Sequence, residues 1–103
     1  MAFEGRVEVF YKGIWGTVCD INWDVHDATV VCHQLGFPAA IAAKKSATFG
    51  KGGGKIWMNR VMCTGNESSL LDCDHSGWGI NKCSHDDDAG VICSNGGKEH
   101  LLL

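Results

Sequence analysis

The sequence contains no apolar run near the ~20 residues needed to span a bilayer, and no charged-then-apolar leader precedes residue 5. Direct membrane insertion is therefore not expected, and any signal or anchor is expected outside this chain. There is no G-x-S-x-G and no other nucleophile beside an oriented base, which argues against the common hydrolase arrangements. The glycine-rich run at residues 50–55, GKGGGK, lacks the G-x-x-x-x-G-K-S/T spacing of a phosphate loop, and Ile56 follows its lysine. It reads as a flexible or turn-forming loop. Aromatic residues do not interleave with the basic ones, so dedicated nucleic-acid recognition is not expected. His26, His33, His75 and His100 stand isolated, and the nearest metal-like spacing, Cys83-Ser84-His85, has no partner pair for zinc. If all cysteines are paired no thiol nucleophile remains, and the chain reads as non-enzymatic.

Acid is missing where base is concentrated. Residues 28–66 hold Lys44, Lys45, Lys51, Lys55 and Arg60 and no Asp or Glu, while the remainder holds four bases and all twelve acids, for a net charge of −3. Such segregation sets a positive patch beside a negative one and favours charged partners, polyanions among them. The three adjacent carboxylates Asp86, Asp87 and Asp88 repel one another unless solvated or neutralised, and Ca²⁺ accepts several oxygens from loops of this kind. Asp88 has a structural alternative as an acceptor of backbone hydrogen bonds. Asn66-Glu67-Ser68 is an N-glycosylation acceptor pattern suited to an exposed extracellular loop.

Cysteine, by contrast, is plentiful. A 103-residue chain makes one domain that buries only roughly 60 to 70% of its unfolded surface. Six cysteines, at 19, 32, 63, 73, 83 and 93, are the expected staples in an oxidising compartment, each disulfide worth about 2 to 4 kcal/mol. Fifteen pairings are possible, and spacing does not choose among them. An extracellular domain is expected.

The longest helical period lies in DVHDATVVCHQLGF, residues 24–37, where Ala28, Val31, Cys32 and Leu35 recur at i, i+3, i+4 and i+7. Asp24 suits the N-cap, Asp27 the first turn, Gly36 the left-handed position beyond the end, and Pro38 blocks continuation. A helix of about three turns is expected, with Cys32 on its buried face and Val30 off the stripe, so that the helix is partly surrounded. Strands are expected at residues 6–11, with Val7, Val9 and Tyr11 on one face, and at 14–19, joined by Lys12-Gly13 as a hairpin. Further strands are expected at 46–49, 55–58 and 89–93. Residues 39–43 could be helical, residues 60–63 continue irregularly, and residues 68–73 form one helical turn capped by Ser68 or Ser69. Residues 74–88 are polar and irregular.

Several of these stretches carry a resemblance. GRVEVF at 5–10, WGTVCD at 15–20, Trp23, VVCHQLGF at 30–37, IWM at 56–58, CTGNESSLLDC at 63–73, Trp78-Gly79 and CSHDDDAGVIC at 83–93 resemble, in order, the scavenger receptor cysteine-rich domain of the six-cysteine, group A type. The resemblance implies an α+β fold, a small disulfide-stapled domain in which a curved antiparallel sheet cradles one main helix at about residues 25–35. It places the domain at residues 5–94, with an N-terminal extension at 1–4 and a linker or appended tail at 95–103. It implies the pairs Cys19 with Cys83, Cys32 with Cys93 and Cys63 with Cys73. It implies a Ca²⁺ site from Asp20 and Asp87, with Ile21 in place of a third acid, and a second from Asn59 and Glu67, with Arg60 beside it. No cofactor is obligatory. The expected function is a non-catalytic extracellular ligand-binding module of a multidomain parent. It would recognise proteins or polyanions such as sulfated glycans or lipopolysaccharide, with Lys44, Lys45, Lys51, Lys55 and Arg60 as ligand-binding residues and Asn66 glycosylated. The alternative is an accessory domain that positions an extracellular protease or amine oxidase.

Overall fold

A computed structural model describes residues 2–95, and the expected tail lies outside them except for Asn95. Among the described residues the single α-helix, α1, runs Val25–Gln34. Its start is fixed locally: the Asp24 carboxylate accepts the N–H groups of His26 and Asp27, and the Asp27 carboxylate accepts the Asp24 N–H, a reciprocal capping box. Its end is equally local. Gly36 takes φ +92°, and the N–H groups of Gly36 and Phe37 bond the carbonyls of His33 and Cys32, the paired closure that a left-handed glycine permits.

Among the described residues six strands divide between two three-stranded sheets, which with the one helix and the disulfides make the expected α+β fold. β1 (Ala2–Arg6), β4 (Ala39–Lys44) and β6 (Gly90–Ser94) form the first, ordered β1-β6-β4 and antiparallel throughout. β2 (Glu8–Tyr11), β3 (Ile14–Val18) and β5 (Lys55–Met58) form the second, in which β2 and β3 make the expected hairpin and β3 and β5 run parallel. Residues 6–11, expected as one strand, are split at Val7, whose N–H leaves the ladder for the Ala89 carbonyl at 3.0 Å. The chain thereby passes from one sheet to the other while Val7 and Val9 stay buried.

Two expectations are corrected. Residues 39–43, open to a helical reading, are strand, because pairing with β6 and the start after Pro38 outweigh the helix propensity of alanine. Residues 46–49, expected as strand, are turn. Ser46 and Ala47 take φ +55° and +51°, and their N–H groups bond the Asp20 carboxylate and the Asp88 carbonyl instead of a neighbouring strand. The helical turn near Cys73 is a 3-10 turn, Leu70–Asp72, capped by Ser69. A second 3-10 turn, His85–Asp87, occupies the acidic run.

The core lies between the sheets and α1, which buries Ala28, Val30, Val31 and Cys32 against Val18, Trp23, Met58, Val61, Leu70 and Val91. Val30 is fully buried, as a partly surrounded helix requires. Leu35 is not on the buried face: it is the C-cap residue and 65% exposed, because the helical period stops one residue before it. Cys32 ties α1 to β6 through Cys93, Cys19 joins Cys83, and Cys63 joins Cys73. Among the described residues no helix is long and apolar enough to cross a membrane.

Candidate functional site

Lys44 ends β4, and residues 45–54 carry the chain from there to β5. This connection is rich in glycine, yet it is pinned along its length. The Ser46 N–H donates to Asp20 Oδ2 at 2.8 Å, the Ala47 N–H to the Asp88 carbonyl at 3.0 Å and the Gly52 N–H to Asp88 Oδ2 at 2.7 Å. Arg6 Nη1 donates to the Gly50 carbonyl at 3.2 Å, and His85 Nε2 lies 3.0 Å from the Gly54 carbonyl. A Cβ at Gly52 would stand 2.6 Å from Thr17 Cγ2 and 3.3 Å from Asp88 Oδ2, so glycine there is a condition of the close approach. The loop leads into a strand, and its amides point at protein acceptors rather than at a phosphate.

His85 holds this arrangement from beneath. Its Nδ1 lies 2.9 Å from Asp88 Oδ2 and its Nε2 faces the Gly54 carbonyl, so both ring nitrogens face acceptors. Only an imidazolium donates to both. Its pKa is accordingly raised, foremost by the Gly54 carbonyl, against the opposing effect of burial, with Asp88 adding to the rise. Asp88 is 2% exposed and fills the structural role of an acceptor for a backbone N–H.

The loop and the strand ends that flank it carry four of the five expected ligand-binding cations. Lys51 is paired with Asp86, which raises the lysine pKa and lowers the carboxyl pKa at an exposed position. Lys44, Lys45 and Lys55 have no acidic partner among the described residues, and Lys55 Nζ sits 5.4 Å over the Trp57 ring. Arg60 falls elsewhere. It follows β5 with φ +53° and lines a cleft of about 380 Å³ together with Ile21, Asn59, Ile80, Lys82 and Asp87. A larger groove, about 710 Å³, is walled mainly by apolar side chains such as Phe3, Phe10, Trp15 and Leu35, and its Arg6 and Glu8 are already paired with each other. It offers an anion little.

The acids expected to hold calcium are brought partly together. The Asp20 N–H donates to the Asp87 carbonyl at 2.9 Å, beside the Cys19–Cys83 bridge. Their side chains have other duties: Asp20 accepts the Ser46 N–H, and Asp87 caps the 3-10 turn through the Ser84 N–H. Ile21 is exposed and offers no ligand. The ligand-type atoms that converge among the described residues are Asp87 with the Cys19–Cys83 sulfurs and Glu67 with the Cys63–Cys73 sulfurs, and disulfide sulfur is not a calcium ligand. Glu67 accepts the Thr64 N–H, the Thr64 hydroxyl and the Gly65 N–H, which hold its pKa down at about 2, the Thr64 N–H foremost. Asn59 is buried, with Oδ1 unpartnered. Calcium takes six to eight oxygens, and Arg60 and Lys82 line the same cleft as Asp87 and Asn59. As arranged, this donor set does not fit calcium.

Asn66 is exposed in the turn that Glu67 organises, a position open to a glycosylating enzyme. Sequence reasoning missed Lys82, which has no basic neighbour in the chain and lines the same cleft as Arg60. It also missed His85, whose spacing from Cys83 suggested only zinc.

Comparison with known proteins places this geometry in a lineage. A family model described as the scavenger receptor cysteine-rich domain matches residues 1–94. The chain is 51% identical over 94 residues to macrophage scavenger receptor types I and II of Mus musculus, covering 91% of this chain and 20% of that protein. It is 54% identical over 90 residues to lysyl oxidase homolog 4 of Homo sapiens, covering 87% of this chain and 12% of that protein. It therefore spans a fifth or less of the length of these relatives. The solved SRCR domain of mouse MARCO, in a dimeric form, matches with a TM-score of 0.85 and 47% identity, over 91% of this chain and 89% of that one.

Proposed function

Because the chain belongs to the scavenger receptor cysteine-rich family, an extracellular family of disulfide-bonded modules, we propose that it is a non-catalytic binding domain for polyanions that works without calcium. One observation carries this reading: among the described residues, Lys45 on a loop whose backbone is pinned by Asp20, Asp88, His85 and Arg6, and Lys44 and Lys55 at the strand ends that flank it, stand without acidic partners. Lysines on a free loop would lose conformational entropy on engaging a ligand, whereas a pinned loop presents them with that cost already met by the fold. Sulfated glycans and lipopolysaccharide supply the matching charge. The contacts are point-charge contacts, so binding is salt-sensitive and tolerant of the polyanion's detailed sequence.

The test is heparin binding by the oxidised chain, measured by calorimetry, beside a variant with Lys44, Lys45, Lys51 and Lys55 all changed to Ala. A loss of about tenfold or more in affinity, with thermal stability unchanged, is expected from removing several charge contacts. Equal binding by the two proteins would end the reading.

A second reading has its own support. The match to lysyl oxidase homolog 4 covers only 12% of that protein, which suits a module carried beside a catalytic domain it positions. An extracellular protein partner would then replace the polyanion, and the same lysine variant would bind that partner as the parent chain does.

A further inference from the structure

β1 is an outer strand: β6 bonds one side of it, and among the described residues no strand pairs with the other. Its register with β6 is unbroken, whereas β4 at the opposite edge carries a shift between Ala40 and Ala42 of the kind that blunts an edge. The Val7 N–H donates to the Ala89 carbonyl in the same register, so Phe3, Gly5 and Val7 turn their backbone groups toward β6. By alternation, the N–H and C=O groups of Glu4 and Arg6 point outward. The groove of about 710 Å³ opens beside this edge, and Phe3, Phe10, Trp15 and Leu35 in its walls are all exposed. Nothing in the chain itself requires glycine at position 5: its φ is not left-handed, and a Cβ there would meet nothing within 4 Å. A glycine inside a strand suits the close approach of a second backbone.

We propose that this edge and groove dock a second copy of the chain, the two β1 strands pairing antiparallel about a two-fold axis at Gly5. The strand's own charges choose both the occupant and the register. Only registers that set Glu4 and Arg6 against outward-facing residues of the other strand can bond. A centre at Glu4 opposes two carboxylates, and a centre at Arg6 opposes two guanidiniums. A centre at Gly5 sets each Glu4 opposite the other copy's Arg6, both pairs exchanging N–H···O=C bonds and matching unlike charges. Glu4 is exposed and has no ion-pair partner among the described residues. Arg6 can take the added carboxylate: its Nε and Nη2 reach Glu8, its Nη1 donates to the Gly50 carbonyl, and further N–H groups remain. The same register places Phe3 of each copy opposite Val7 of the other, on the face that opens into the groove beside Val9, Phe10 and Trp15. An unrelated strand meets the backbone groups alone, whereas a second copy brings the opposite charge and the apolar side chain in one register. The contact is isologous and closes at two copies. It uses none of the lysines and stands apart from the polyanion reading.

The experiment measures the mass of the oxidised full chain by sedimentation equilibrium from about 10 µM to about 1 mM without any polyanion, with ¹⁵N spectra over the same range. Expected is a rise from one chain toward two, with slowed amide exchange at Glu4 and Arg6 and a shift of the Trp15 indole signal. Glu4→Arg sets like charges against each other at both ends of the interface. Glu4→Pro removes an outward N–H and leaves the bonds to β6 in place. Each should weaken the association about tenfold or more. Position 4 is exposed and its N–H faces away from β6, so the folded spectrum persists and reports directly. A chain that stays single to about 1 mM would overturn the proposal, and so would an association that both Glu4 variants leave unchanged. Groove signals that do not vary with concentration but change on removal of residues 96–103 would give the groove to the chain's own end and rule out the second copy.

Discussion

Asp27 gives the sharpest physical test of how the fold is held. It is fully buried, with Oδ1 accepting the Cys63 N–H and Oδ2 the Asp24 N–H, each at 2.8 Å. One carboxylate thus closes the capping box of α1 and fastens the helix to a segment 36 residues away. Burial raises its pKa from 3.8 to about 6, because desolvation outweighs the two backbone bonds that favour ionisation. The sign for stability follows. A carboxyl whose folded pKa lies above its unfolded value contributes most when protonated, below about pH 4, and that contribution is lost as pH rises through about 6. At about 1.4 kcal/mol per pH unit the full loss is about 3 kcal/mol, of which about 2.4 kcal/mol falls between pH 4 and 7.5. Asp27→Asn is a fixed neutral analogue that keeps one acceptor oxygen but sets its NH2 against the other backbone N–H. In urea unfolding with the disulfides intact, the variant should lie about 1 to 3 kcal/mol below the parent at pH 4 and gain on it as pH rises to 7.5. Asp27→Ala, which leaves both N–H groups without an acceptor, should lie about 1 to 3 kcal/mol below the Asn variant at either pH. An Asn variant that loses ground as pH rises would show that the carboxylate's hydrogen bonds outweigh its burial, and the reasoning would fail.

Three further outcomes are expected. His85, with its pKa raised and both nitrogens facing acceptors, clamps the lysine loop best below its unfolded pKa of about 6.5. The clamp weakens as pH rises through the higher folded value; amide exchange at Gly52 and Gly54 should accelerate over that range in the parent chain and be fast at every pH in His85→Ala, whereas pH-independent protection would contradict the clamp. Gly16→Ala places a Cβ 2.4 Å from Trp57 Cδ1 and 2.9 Å from the Lys55 carbonyl, so the parallel β3–β5 pair must separate. About 3 kcal/mol or more should be lost in chemical unfolding, and a neutral result would mean the sheet shifts freely. Among the disulfides, Cys19–Cys83 closes 64 residues and Cys63–Cys73 only 10, so chain-entropy arguments give about 4 against about 3 kcal/mol. Paired Cys→Ala variants should rank in that order by urea midpoint.

The elements that proved legible in the sequence are those decided by near neighbours. Asp24, Asp27 and Gly36 fix both ends of α1 within a few residues, and alternation marks β2 and β3. β4 escaped because an alanine run has no hydrophobic contrast between its faces, and its strand character comes from β6, about 50 residues on. The turn at residues 46–49 escaped for the same reason: its backbone partners, Asp20 and Asp88, are set by tertiary structure. Leu35 kept the helical period on paper, but the capping turn ends the period before it. The basic residues were visible as composition, whereas their division between a loop and a cleft was not. That division depends on the tertiary fold, which lines one cleft with Arg60, Lys82 and Cys83. The burial of Asn59 has no local signature at all.

The central claim, that a pinned lysine loop captures polyanions without a metal, is tested most directly by heparin affinity across a salt series, run once in EDTA and once in millimolar calcium. The account predicts saturable binding in both, with log affinity falling linearly against log salt at a slope of about −2 to −4, as the few lysines of the loop release their counterions. Binding that appears only when calcium is added, or that does not respond to salt, would contradict it.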